Sequence, residues 1–184
     1  DSMEASASRT RVGLMGLLAL SIMMPVTLPV PILRELVGVR FAVSELSTSL
    51  FMSINMIGAA LAAPLAGALA DRIGKRRPLV ICALAFDALC FVGMTLDLPF
   101  SVFMGIRFIE GCAHIFALSL VLSIAASLGG ETKRGITMGI TGAGMMLGVA
   151  IGAPIGGMLG RVDPLRPLMT GAIVLVAAAI LAAV

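Results

Sequence analysis

Four residues in one apolar segment have the types and spacing needed to handle a proton or a charged group. Arg107, Glu110, Gly111 and His114 stand at i, i+3, i+4 and i+7, so a helix places them on one face. If this helix spans a bilayer, each ionisable group near its centre costs about 2.5–3.5 kcal/mol on insertion scales. Three such groups on one helix therefore predict that the face lines a wet cavity or that its members pair with each other.

Glu110 is the candidate protonatable group on this face. Burial favours its neutral acid form, whereas a contact with Arg107 favours the carboxylate, so a proton or a substrate could shift the balance. The alternative interpretation is a static Arg107–Glu110 pair that holds helices together. His114, the one histidine of the sequence, is either a proton relay from Glu110 or a hydrogen-bonded packing residue.

A second acidic residue, Asp87, lies near the middle of another apolar segment. It either reaches a polar partner such as His114 or marks a coupling site. The sequence has no nucleophile constellation, phosphate loop or metal-ligand spacing outside its apolar segments. It therefore predicts neither an enzyme nor a protein with a metal or cofactor.

The composition of the surrounding sequence is typical of an integral membrane protein. Of its 184 residues, 59% are hydrophobic and 12% are charged, about half the charged fraction of a typical soluble domain. About 20 residues cross the hydrocarbon core of a bilayer as a helix. The sequence predicts an all-α integral membrane domain over residues 9–184, preceded at 1–8 by a disordered tail or cloning remnant. Its six predicted helices are 12–33, 46–70, 78–96, 100–128, 136–160 and 165–184.

The basic residues between these segments predict the orientation of the chain. Cytoplasmic loops carry an excess of Lys and Arg. This rule predicts that both termini lie in the cytoplasm and that the protein resides in the inner or plasma membrane of its cell. The basic residues are scattered between apolar segments, so they do not form a nucleic-acid surface. One side holds Arg9, Arg11, Arg72, Lys75, Arg76, Arg77, Lys133 and Arg134, and the other holds Arg34, Arg40, Arg161 and Arg166.

An internal repeat predicts how the six helices are arranged. Residues 67–79 can be laid over residues 156–168, with Gly, Arg, Arg, Pro and Leu coinciding. The offset corresponds to three helices, so the two copies lie on opposite sides of the membrane. Inverted three-helix repeats of this kind build one half of many secondary transporters.

The run G-A-L-A-D-R-I-G-K-R-R-P-L at residues 67–79 resembles the signature loop of the major facilitator superfamily, between its second and third helices. The resemblance implies a cytoplasmic gating loop that latches two transporter halves, with Asp71 and Arg72 as the latch. The matching positions are Gly67, Asp71, Arg72, Gly74, Lys75 and Arg76.

Two further segments resemble that family. Arg107-x-x-x-Gly111 is similar to its fourth-helix motif, whose Arg is linked to proton coupling; the family often has Gln at the position of Glu110. The glycine-rich fifth helix resembles that of exporters and drug–proton antiporters, although its proline is displaced by one position. Its matching residues are Gly148, Gly152, Pro154, Gly156 and Gly157.

The resemblance implies the N-terminal six-helix half of a secondary active transporter. Its activity would be proton-coupled efflux of a small molecule by alternating access. Its partners would be the lipid bilayer, the substrate, protons and a second six-helix half. Two alternatives remain open: a six-helix membrane subunit or assembly factor that does not transport, and a half-size transporter that works as a homodimer.

Overall fold

The computed structural model describes residues 2–128 and 130–183, with the side chains of 2–8, 70–71 and 130–132 left out. Within these residues there are six α-helices and no strand, which confirms the all-α prediction. Each helix contains a stretch long and apolar enough to span a bilayer. The helices are α1 (Ser2–Thr27), α2 (Glu45–Arg72), α3 (Arg76–Thr95), α4 (Phe100–Leu128), α5 (Gly130–Gly160) and α6 (Arg166–Ala183).

The first helix differs most from its predicted bounds. It begins at Ser2, within the segment for which the sequence predicts a tail, and its regular part ends at Thr27 rather than Leu33. A 3-10 turn at Val30–Ile32 and a π-helical segment at Arg34–Val39 follow. Prolines in this stretch lack the N–H that continues an α-helical ladder, which explains the early end.

The helix contacts follow the symmetry expected of two inverted three-helix repeats. The most extensive contacts are those of α1 with α5 and of α2 with α4. If α1, α2 and α3 are exchanged in order with α4, α5 and α6, the α1–α5 pair becomes the α4–α2 pair. The echo of residues 67–79 likewise falls on the α5–α6 connection, the counterpart of the α2–α3 connection.

Four helices form the centre of the bundle and two lie outside it. Helices α1, α6, α3 and α4 contact one another in a ring, whereas α2 and α5 pack against α4 and α1. Buried side chains in the ring include Ile22, Leu84, Phe91, Leu120 and Leu175. In the outer helices α2 and α5, the membrane-spanning stretch has the smallest share of buried residues among the six.

The two ends of the bundle differ in charge. The end with Arg11, Arg77, Leu128 and Ala182 around one cavity is called the basic end here. At the opposite end Arg40 donates to the carbonyl oxygens of Met94 at 2.8 Å and Leu96 at 2.5 Å. These bonds satisfy carbonyl groups that the end of α3 leaves without helical partners, and they fix the α1–α2 connection to that end.

Candidate functional site

The polar face predicted on α4 is buried in the middle of the bundle. Arg107, Glu110 and Asp87 are 0% exposed, and His114 is 7% exposed. Helix α4 supplies three of these groups from successive turns, α3 supplies Asp87, and α2 supplies the buried Asn55. The structure therefore brings together all four residues that the sequence predicts for coupling.

Glu110 is held by partners on two helices. Its Oε2 atom lies 2.6 Å from Nη1 of Arg107, one turn away on α4. The same oxygen accepts a hydrogen bond from Nδ2 of Asn55 on α2 at 2.5 Å. Charge-assisted hydrogen bonds such as the first are stronger than neutral ones, so this oxygen is the firmly held side of the carboxylate.

Arg107 is in turn fixed against α2. Its Nε donates to the carbonyl oxygen of Phe51 at 3.4 Å, and its Nη2 contacts Sδ of Met52 at 3.8 Å. The guanidinium carbon also lies 4.4 Å from the centroid of the Phe51 ring. This cation–π contact adds attraction to a desolvated charge. The sequence predicted the arginine but gave no sign of its contacts with Phe51.

Asp87 and His114 form the second pair. Nδ1 of His114 lies 3.1 Å from Oδ2 of Asp87, and this contact is one of the two possibilities that the sequence leaves open for Asp87. Among the described residues, Oδ1 of Asp87, Nε2 of His114 and Oε1 of Glu110 are buried and have no hydrogen-bond partner. Buried polar atoms are rarely left without a partner, so three in one cluster mark a place that a proton, water or substrate can complete.

The charges of the cluster do not balance with a neutral histidine. Two carboxylates, Asp87 and Glu110, face one permanent cation, Arg107, and His114 is charged only when protonated. A net charge is costly in a buried apolar surrounding. One additional proton on Asp87, Glu110 or His114 makes the cluster neutral, so the arrangement can hold one exchangeable proton.

The cluster also offers the donor types that a cation accepts. One oxygen each from Asp87 and Glu110 and a ring nitrogen of His114 lie within 4.8 Å of one another. However, the guanidinium of Arg107 already contacts Glu110 at 2.6 Å, and its charge opposes a metal cation. The position of Arg107 therefore disfavours a metal ion at this cluster.

Gly111 explains how Asn55 reaches Glu110. A Cβ atom at Gly111 would collide with the backbone carbonyl of Asn55. On α2, Gly58 is equally tight against the carbonyl of Phe108 on α4. The two glycines bring the backbones of α2 and α4 close together, as small residues do in membrane helix pairs. The sequence alone gives no sign that Asn55 is paired with Glu110.

The glycines predicted on α5 pack against α1. Gly148, Gly152 and Gly156 each leave too little room for a Cβ atom beside the α1 segment, including the backbone of Leu20, Met24 and Leu28. Gly157 faces Pro31 at ordinary contact distance, and Pro154 is exposed. The ladder therefore has a packing role within this bundle, and its exporter role stays a prediction.

The predicted gating loop joins α2 to α3 at the basic end. Arg72 is exposed in the last turn of α2, and Lys75 is exposed just before α3. Arg76 donates to the carbonyl oxygen of Ser123 on α4 at 3.3 Å, which ties the loop to the bundle. The side chain of Asp71 lies outside the described part of the structure.

The two loop glycines behave differently from those of α4 and α5. A Cβ atom at Gly67 or Gly74 would meet nothing within 4 Å among the described residues. Neither glycine therefore supports a close helix approach within the described bundle.

The family model of the Major Facilitator Superfamily matches residues 15–184. The match covers most of the chain and contains all six helices except the first turns of α1. A comparison with curated proteins finds no relative that matches the chain. On the family match, the chain belongs to the major facilitator superfamily and is an integral, multi-pass membrane transporter of small molecules.

Proposed function

We propose that this member of the major facilitator superfamily is a proton-coupled exporter in which Glu110 carries the coupled proton. The observation behind this proposal is the buried cluster of Arg107, Glu110, Asp87 and His114. Its single permanent cation faces two carboxylates, and three of its polar atoms have no partner among the residues that the structure describes. A purely structural cluster would gain stability if those atoms were paired.

The proton changes the contacts of Glu110. In the deprotonated state Oε2 accepts from Arg107 and Asn55 together, which draws α4 towards α2. A protonated Glu110 is a weaker partner for the guanidinium, so Arg107 becomes available to a substrate or to Asp87. Proton binding and helix contacts are thereby linked, which alternating access requires.

The groups that face Glu110 come from three helices. Arg107, His114 and the thiol of Cys112 share α4 with it, Asp87 and the thiol of Cys90 face it from α3, and Asn55 faces it from α2. Only Arg107 among them carries a permanent positive charge. We propose that Glu110 takes the proton and that the Asp87–His114 pair relays it.

The transporter would be completed by a second six-helix half. The outer helices α2 and α5 carry exposed apolar side chains, among them Leu61 and Leu65 on α2 and Met146 and Leu147 on α5. Gly67, which has open space around its Cβ position, lies at the end of α2 where a second half could approach. In this arrangement the basic end faces the cytoplasm of an inner or plasma membrane, and the loop with Asp71 and Arg72 acts as the latch between halves.

Efflux is supported by the glycine-rich fifth helix. Its ladder lets α5 lie directly on α1, and Thr27 of α1 donates to the carbonyl oxygen of Val149 at 3.1 Å. We propose that α1 and α5 move as one unit during transport, with substrate carried outward as protons enter.

Replacing Glu110 by Gln should remove the pH dependence of transport. The amide of Gln has nearly the same shape as the carboxyl group of Glu but does not take up a proton when the pH changes. We expect gradient-driven flux to fall roughly 100-fold, at the lower end of what a positioned proton-transfer group contributes. The measurement uses inverted vesicles with the intact protein, an imposed pH gradient and a panel of fluorescent amphipathic dyes.

The matched control is Glu45→Gln, which removes an exposed carboxylate in the first turn of α2. It should retain normal flux and the normal pH profile. If Glu110→Gln transports with the unchanged profile, Glu110 is not the coupling group.

A further inference from the structure

A cavity at the basic end is separate from the polar cluster. It has a volume of about 360 Å³ and lies between α1, α3, α4 and α6. This volume falls at the lower end of the range found for small-molecule sites, about 300–1,000 Å³. The cavity is therefore large enough for one small ligand or one alkyl chain.

The walls of the cavity are almost wholly apolar. Eight apolar residues from α1, α3, α4 and α6 line it, among them Leu18, Val121, Leu128 and Ala182. Such walls favour an apolar ligand body because burial of hydrocarbon is favourable by about 25 cal/mol per Å².

Within the described part of the chain, the polar side chains at the cavity are those of two arginines. Arg11 comes from α1 and Arg77 from the first turn of α3, and both are exposed. Among the described residues neither guanidinium has an ion-pair partner. Two like charges beside one cavity repel each other, and an anion between them removes that repulsion. The planar fork of Arg matches the oxygens of a carboxylate or phosphate.

The ring of helices limits how a ligand can enter. Each helix around the cavity contacts its neighbours, α1 with α6, α6 with α3, α3 with α4 and α4 with α1. The two chains of a phospholipid would need more room than a cavity of about 360 Å³ provides. A single-chain anion can instead enter from the aqueous phase at the basic end, with its charged head at Arg11 and Arg77.

We propose that this cavity binds a single-chain anionic amphiphile of the fatty-acid type. The carboxylate lies between Arg11 and Arg77, and the alkyl chain extends along Leu18 and Val121 towards the centre of the ring. An occupant there would contact α1, α3, α4 and α6 together at the basic end.

The test is equilibrium binding of radiolabelled decanoate to the intact protein in nanodiscs of neutral phospholipid. We expect saturable binding at one site per chain. Arg11→Gln and Arg77→Gln should each weaken it at least about tenfold, since each removes one charge-assisted contact. Ala182→Phe should also weaken it by filling the cavity while both arginines remain.

Matched controls separate this site from general attraction to a basic surface. Lys133→Gln and Arg134→Gln remove exposed charges from the start of α5 that do not line the cavity, and they should leave the affinity unchanged. Decanol should not compete with decanoate, and neither should phosphatidylglycerol placed in the nanodisc.

The proposal would be overturned by the absence of saturable decanoate binding, by equal affinity in the two arginine variants and the wild type, or by full competition by decanol. Competition by phosphatidylglycerol at matched concentration would assign the arginines to a leaflet phospholipid instead, and would equally contradict a single-chain ligand. Because the arginines and the cavity lie apart from Glu110, these outcomes do not depend on proton coupling.

Discussion

Arg107→Ala should abolish gradient-driven transport and destabilise the bundle, although the protein should still insert. The substitution removes the only permanent cation of the cluster and leaves Glu110 with Asn55 as its one remaining partner. Breaking a buried ion pair by removing one member typically costs about 3–5 kcal/mol. The measurements are flux under a pH gradient and unfolding of the purified protein.

A double variant separates the coupling role of Arg107 from a static structural one. In Arg107→Ala/Glu110→Gln no unpaired charge remains from this pair, so much of the lost stability should return. Transport should not return, because the proton carrier is also gone. Recovery of both stability and proton-driven flux in the double variant would show that the pair only holds helices together.

The control for Arg107 is Arg166→Ala, at an exposed position in the first turn of α6. It should behave as the wild type in both measurements. If it lost flux as well, the effect would reflect general positive charge rather than the buried cluster.

Gly111→Ala should cause the second large loss, because its Cβ atom would collide with the backbone carbonyl of Asn55. Backbone atoms cannot move aside as a flexible side chain can, so α2 and α4 must separate. Overpacking of this kind typically costs about 1–3 kcal/mol. The separation also draws Asn55 away from Glu110, and flux should therefore fall together with stability.

Gly105→Ala is a matched control on the same helix. A Cβ atom there meets nothing within 4 Å among the described residues. Alanine favours the helix over glycine by up to about 1 kcal/mol, so this variant should be neutral or slightly more stable. Denaturant unfolding of both variants in one lipid mixture gives the comparison. Equal stability of the two would contradict the close α2–α4 contact.

The α4 face could be predicted because it depends on local geometry. Arg107, Glu110 and His114 recur at helical spacing, and ionisable groups in a membrane segment avoid lipid. The contact of Asp87 with His114 could be foreseen only as one of two possibilities, since it joins different helices. The partnership of Asn55 with Glu110 could not be foreseen, because it depends on the distance between α2 and α4.

The glycines show the same division between local and long-range information. A glycine-rich membrane helix is typical of close helix packing, but the partner helix α1 follows only from the tertiary arrangement. Gly67 belongs to the same residue type, yet the described bundle leaves open space around it. The sequence predicts that the first helix ends at residue 33, whereas α1 ends at Thr27. Prolines indicate that the helix is interrupted, but they do not predict the π-helical segment that follows.

The most direct test of Glu110 as the proton carrier is infrared difference spectroscopy of the intact protein in lipid as pH is lowered from 9 to 5. It requires no knowledge of the substrate, and it reports proton uptake by buried carboxyl groups. If Glu110 takes up the proton, a carboxylic-acid C=O band should appear in the wild type and in Glu45→Gln and should be absent from Glu110→Gln. An unchanged band in Glu110→Gln would contradict this role of Glu110.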